Sequence, residues 1–170
     1  TYAYSNVAVG AQPGSLVFQG AVLGPSGNVI MVPRNSANIG VFNPKTLAMT
    51  NVGPIGAQSV GLFGSGVLLP NGNVVMSPMG SGTSGNIGMY NTYSLATSGY
   101  SNVVASFGAL NLETTVLAPN GNVIMPPSTW ANAVVYNPSA GTFSNIVVGG
   151  AGSGNFFQGA TILPSGNVIC

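Results

Sequence analysis

Histidine and aspartate are missing from this 170-residue sequence, and ionisable side chains of any kind are scarce. The charged residues are Arg34, Lys45 and Glu113, 2% of the chain, where a globular protein carries about 25%. Each shortage removes a class of function. One carboxylate cannot make the acid–base pair of a glycosidase. Without histidine, neither a Ser-His-Asp nor a Cys-His arrangement can be assembled. Transition-metal centres need clusters of His, Cys or carboxylate, and calcium sites need several carboxylates. The chain is therefore expected not to be an enzyme, and to hold no metal and no cofactor. Two cations cannot neutralise a run of phosphates, so nucleic acid is not an expected partner.

Long apolar runs are missing as well. Gly and Pro interrupt every stretch before it reaches the roughly 18 to 20 residues of a membrane-spanning helix, so no membrane span is expected. No basic segment followed by an apolar one opens the sequence, so no signal peptide is visible. A single cysteine, Cys170, excludes an internal disulfide framework. Asn137-Pro138-Ser139 fails as a glycosylation acceptor because of its proline, and no other asparagine begins a permitted triplet. What remains is 45% hydrophobic residues and a polar complement of Asn, Ser, Thr and Gly. Disordered chains combine low hydrophobicity with high net charge, the opposite of this one. Such a neutral surface suggests an extracellular, virion or cell-surface location.

The residues that are present form a repeat. Pro25, Pro70, Pro119 and Pro164 each open a P-[SN]-G-N-V-hydrophobic phrase, at spacings of 45, 49 and 45. A second phrase follows the first three copies: NIGVFNP from Asn38, NIGMYN from Asn86 and AVVYNP from Ala133. A third, SNV-like phrase starts at Ser5, Thr50, Ser101 and Ser144, and an apolar run precedes each proline. Periods of this size belong to solenoids, propellers and arrays. The segments are short, rich in Val, Ile, Phe and Tyr, and bounded by turn formers, which predicts strands.

In the first full unit the spacing predicts strand a near Phe18–Leu23 and strand b near Asn28–Val32. Strand c follows near Ile39–Phe42 and strand d near Leu47–Val52. The P-[SN]-G-N phrase predicts a tight hairpin between a and b. Gly27, Gly72, Gly121 and Gly166 supply its positive φ. The Asn-Pro of NPKT and NPSA predicts the reversal between c and d. Strand b is apolar at consecutive positions (Val29, Ile30, Met31, Val32), which predicts a sheet covered on both faces. The fold class expected is all-β, a β-propeller-type array of four-stranded antiparallel blades with a period of about 45–49 residues. The expected division is one repeat domain, 1–170. Within it, 1–17 is the last strand of a partial blade. Blades follow at 18–60, 61–108 and 109–154, and 155–170 holds the first two strands of another partial blade.

An apolar strand, then P-x-G-N-V-hydrophobic, then N-I-G-hydrophobic-[FY]-N-P resembles the repeats of several propeller families. It is similar to Kelch and galactose-oxidase-like blades, and to NHL and virginiamycin-B-lyase-like blades. It also looks like Asn/Gly-rich repeats of viral and bacterial surface proteins. The departures are specific. The one Gly-Gly doublet is Gly149-Gly150, Trp130 is the sole tryptophan, and the lyase family's catalytic histidine has no counterpart. The resemblance implies a fold and carries no activity across.

Candidate binding residues lie in the loops between strands b and c. Arg34 and Asn35 follow MVP, and Trp130 follows MPPST, so all three should project from one rim. There an aromatic face and a guanidinium could hold a glycan, or simply pack over their blades. GSGTSG (Gly80 to Gly85) looks like a phosphate loop but lacks the following G-K-[ST], and reads as a lengthened b–c loop. Met31, Met76, Met125 and Cys170 share one frame position, best explained as core packing. The chain ends on PSGNVIC, a strand-b phrase whose strand c does not follow. Self-association through the terminal strands, or a longer parent chain, is the expected consequence. The function expected is a non-catalytic structural or adhesive repeat module of an extracellular, appendage or virion surface assembly. The alternative is a lectin-like β-propeller using the b–c loops.

Overall fold

The computed structural model describes residues 17–55, 61–80, 85–94, 99–103, 110–148 and 157–170. All of the opening strand d expected at 1–17 except Val17, and the interior of the GSGTSG loop, lie outside these residues.

Among the described residues the chain forms fifteen strands and no α-helix. The first sheet is a meander of β1 (Phe18–Leu23), β2 (Val29–Pro33), β3 (Ile39–Asn43) and β4 (Ala48–Val52), each antiparallel to the next. The second repeats it with β5 (Phe63–Leu68), β6 (Asn73–Gly80), β7 (Ile87–Asn91) and β8 (Tyr100–Val103). A short β9 (Leu110–Asn111) joins the end of β6. The third contains β10 (Val116–Leu117), β11 (Val123–Met125), β12 (Asn132–Asn137) and β13 (Thr142–Val147). A hairpin of β14 (Thr161–Ile162) and β15 (Val168–Ile169) begins a fourth. The expected all-β, propeller-type array is what the chain adopts, and among the described residues its sheets do not close into a ring.

Two turns set this rhythm. In all four a–b hairpins the residue before the proline gives its amide to the asparagine carbonyl at 2.8 Å. Its own carbonyl accepts from the glycine amide at 2.8–3.0 Å. The glycines take φ of 83° or 84°, the left-handed step that follows a type I turn in a three-residue hairpin loop. At the c–d reversal Asn43 Oδ1 accepts from the amides of Lys45 and Thr46, at 2.9 and 3.2 Å. Asn137 does the same for Ser139 and Ala140, at 3.0 and 3.1 Å. A side-chain carbonyl thus replaces the backbone acceptor, which is why asparagine heads this turn.

Successive residues of a strand face opposite ways, and here each face meets a different core. Ile30, Val32, Ile39 and Val41 of the first sheet pack against Phe63, Val74, Met76 and Tyr90 of the second. Val75 and Ile87, on the second sheet's other face, pack against Val123, Met125, Val134 and Tyr136 of the third and against Leu112, between β9 and β10. The middle sheet is therefore covered on both sides, and β6 is buried from Val74 to Met79. The expectation of two covered faces holds in full for this sheet. In β2, Val29 and Met31 are only half-buried, and among the described residues the first sheet packs against the second on one side.

The sheets meet along their first strands: β1 lies against β5, β5 against β10, and β10 against β14. Glycine makes the approach possible. A Cβ on Gly64 would sit 2.6 Å from the Cα of Glu113, closer than any side chain tolerates. Strand a is thus innermost and strand d outermost, with all six residues of β13 exposed. This is a blade arrangement in sequence order.

Candidate functional site

The rim of b–c loops is the first place to look. Arg34 there is held through its backbone on both sides. Its amide donates to Val17 O at 2.9 Å, and its carbonyl accepts from Leu62 N at 2.7 Å. Asn35 Oδ1 accepts from Gly61 N at 3.0 Å. At the next junction Met79 and Gly80 pair with Asn111 and Leu110 in the same way. Arg34 and Asn35 therefore stitch the first sheet to the second. Trp130 is half-buried against the core between the second and third sheets. Arg34 and Asn35 thus belong to the junction of the first and second sheets, and Trp130 to that of the second and third.

Of the four frame-sharing residues, Met76 and Met125 are fully buried in successive cores. Met31 is half-buried and Cys170 exposed. Burial nonetheless raises the Cys170 thiol above its ordinary pKa. Among the described residues no group of three or more His, Cys, Asp or Glu could hold a metal ion.

Two features escaped the sequence reading. One is a set of hydroxyls around the innermost strands, on β5, on β6 and just before β10. Ser65 Oγ lies 2.9 Å from Thr115 Oγ1 and 3.4 Å from Ser77 Oγ, and Thr114 Oγ1 donates to Gln158 O at 3.1 Å. These bonds tie the second sheet to the third and the third to the fourth hairpin. Ser and Thr carry no repeat signature at these positions, so spacing could not find them.

The other is a cleft of about 320 Å³ between the third sheet and the β14–β15 hairpin. Ile124, Ala133, Val135 and Ile146 form one wall, and Phe157, Val168 and Cys170 the other. Its third-sheet wall is the face turned away from the second core. The signal was present in the alignment of repeats, because Ile124 and Val135 occupy the frame positions of Val75 and Met89. Those two pack onto the following sheet. No ionisable group other than the Cys170 thiol lines the cleft. It suits apolar side chains on an extended backbone. A smaller cavity of about 210 Å³ lies at the opposite rim, between the turns at Pro70, Gly121 and Pro138.

The chain matches no family model and no curated protein. It is similar in structure to a catalytically inactive variant of virginiamycin B lyase from Staphylococcus aureus, solved with quinupristin. The TM-score is 0.69 at 12% identity, over 93% of this chain and 56% of the lyase. It also resembles the extracellular domain of a hybrid two-component system from B. thetaiotaomicron. There the TM-score is 0.63 at 12% identity, over 85% of this chain and 18% of that one. An auxiliary nutrient binding protein from Bacteroides ovatus matches with TM-score 0.58 at 12% identity, over 90% and 36% of the two chains. The chain thus spans about half the length of the lyase and less of the others. These neighbours are propeller-like proteins, several of them extracellular by name, and at such identities the likeness is one of fold.

One expectation is corrected here. The chain was expected not to be an enzyme, yet virginiamycin B lyase and Kuenenia stuttgartiensis hydrazine synthase, both enzymes, share its fold at 12% identity. The physical reason is one of scope. A count of ionisable side chains bounds only what these 170 residues carry, and the lyase extends well beyond the part they match. A fold shared by enzymes and binding proteins sets no activity by itself.

Proposed function

We propose that this chain is a structural or adhesive β-propeller module that works within a larger extracellular or surface assembly. The observation that supports it is the open apolar face of the third sheet, continued by the exposed β13. Phe143, Ile146 and Val147 of this strand are 38, 52 and 76% exposed, with no charge along it. Uncharged edges and apolar faces are unprotected against further pairing. Blade limits at 18–60, 61–108 and 109–154, and kinship with Kelch or NHL blades, are part of the same proposal. They rest on the repeat phrases. Likeness to extracellular domains and to a nutrient binding protein supports the surface location.

The second reading is lectin-like binding on the b–c rim by Arg34, Asn35 and Trp130, favoured by the half-buried Trp130 ring. One experiment separates the two: mass by light scattering and particle shape by electron microscopy, with and without glycans. Ordered rings or fibres without ligand are the expected result. A stable monomer that binds a glycan saturably would overturn it in favour of the second reading.

A further inference from the structure

The four a–b turns share one backbone and differ at the residue before the glycine. Ser26 and Ser165 stand there in the first and fourth, Asn71 and Asn120 in the second and third. Of the two residue types, asparagine alone brings a carbonyl carbon within reach of the following backbone nitrogen. Both asparagines are exposed, and each Oδ1 accepts from the amide two residues on, Asn73 or Asn122, at 3.1 Å. That amide holds the oxygen on which negative charge gathers when the glycine nitrogen attacks Cγ. The glycine amides are bonded alike, to Leu69 O at 3.0 Å and to Ala118 O at 2.9 Å. The surrounding sequence is PNGNV in both turns, so local sequence does not separate them.

What differs is the grip on the glycine. In the second unit Thr92 donates twice to Gly72 O, through its amide at 3.3 Å and its hydroxyl at 2.7 Å. The Tyr93 ring lies on the same residue, where a Cβ on Gly72 would be 2.3 Å from it. In the third unit these two places hold Pro138 and Ser139. Proline has neither an amide hydrogen nor a hydroxyl, so neither bond to the glycine carbonyl can form. Among the described residues nothing lies within 4 Å of where a Cβ on Gly121 would stand. Gly72 is buried and Gly121 half-buried.

We propose that Asn120 is a site of spontaneous covalent modification by Asn-Gly cyclisation, and that Thr92 and Tyr93 protect Asn71 from the same reaction. The Gly121 nitrogen loses its proton to hydroxide and bonds to Cγ of Asn120. The Cγ–Nδ2 bond breaks and ammonia leaves, giving a five-membered succinimide. Water then opens the ring at either carbonyl, leaving aspartate or, with the chain rerouted through the side chain, isoaspartate. Nothing is oxidised or reduced, and water and hydroxide are the co-reactants. Ring closure turns the Asn-Gly peptide about the bond between Cα and the carbonyl carbon, which displaces the glycine. Two hydrogen bonds and an aromatic ring oppose this at Gly72, and their counterparts are missing at Gly121. Either product adds a carboxylate to a chain whose one acidic side chain is Glu113, and lowers the formal net charge of +1 by one.

The test incubates the unaltered protein in mildly alkaline buffer and samples it over weeks. Digestion with pepsin, whose acid conditions halt the reaction, precedes mass spectrometry of the peptides that carry each asparagine. Asn120 is expected to convert at least about tenfold faster than Asn71, the margin that two hydrogen bonds of ordinary strength set. In urea the two should convert at equal rates, since the fold alone distinguishes them. Equal rates in the folded protein would overturn the proposal. So would faster conversion of Asn71, or conversion of Asn120 in urea only. Protection is read in the double variant Thr92→Pro, Tyr93→Ser, which gives the second unit the third unit's turn. Asn71 should then convert as fast as Asn120, whose unaltered rate in the same molecules reports that the fold is intact. Tyr93→Ser alone, which keeps both Thr92 bonds, should raise the Asn71 rate part of the way. An Asn71 rate unchanged in both variants would overturn the protecting role. None of these results depends on whether the protein assembles, so this inference and the module reading fail separately.

Discussion

At the scale of single residues, the c–d turn offers a comparison made by the protein itself. Leu47 adopts φ of 57°, the one non-glycine residue described with a positive value. The same frame position in the third unit is Gly141, at φ of 66°. The left-handed conformation costs a side chain about 1–2 kcal/mol, and Leu47 recovers little by burial, being 58% exposed. Gly141→Ala is therefore expected to lower stability by about 1 kcal/mol, while Leu47→Gly leaves it unchanged or slightly higher. Urea unfolding of both variants checks the pair, and a Leu47→Gly variant that loses as much as Gly141→Ala would refute the account. The hairpin glycines were legible because a positive φ selects glycine. Leu47 was not, because the turn imposes a conformation that its residue type does not announce.

At the scale of elements, two units solve one packing problem differently. In the second sheet a Cβ on Gly88 would lie 2.6 Å from the Phe63 ring. The third unit has Leu112, just before β10, and Val134 of β12 in the corresponding places, both fully buried. A large residue on strand a with none on strand c is exchanged for two of middle size. Gly88→Val is expected to cost about 1–3 kcal/mol by overpacking. Adding Phe63→Leu should recover at least about 1 kcal/mol of that, a coupling typical of residues in contact. A double-mutant cycle by urea unfolding measures it, and strict additivity would show that the two positions do not share their space. The strands were readable from phrase and spacing. The exchange was not, since it links residues 25 apart in one unit and 22 in the other that only the folded sheet brings together.

At the scale of the whole molecule, the cores hold tyrosines whose ionisation folding opposes. Burial raises the hydroxyls of Tyr90 and Tyr136 above the ordinary value of 10.0. Tyr100 is pushed up to about 12 by burial, with its hydrogen bond to Asn102 acting in the opposite direction. As pH rises, the unfolded chain thus loses these protons before the folded one. The contribution of the rings is intact below pH 10 and declines above it, until the folded groups titrate in turn. Unfolding by urea between pH 8 and 12 should show stability falling from about pH 10 upward. A profile that stays level to pH 12 would contradict it.

By itself the sequence determined the strands, the turns and their order, because tight turns need Asn, Gly and Pro at set places and a repeat states the same requirement several times. Its composition also determined how little charge the surface carries. Only the tertiary structure decided which junction each residue serves. Arg34 and Asn35 join the first sheet to the second, because backbone groups from the next unit reach them, and Trp130 packs at the following junction. Among the described residues the middle sheet is covered twice, since its neighbours lie on both sides. The cleft beside Cys170 lies where the outer apolar face of the third sheet meets the β14–β15 hairpin. Such facts depend on which surfaces adjoin, and adjacency between repeats is a property of the folded stack.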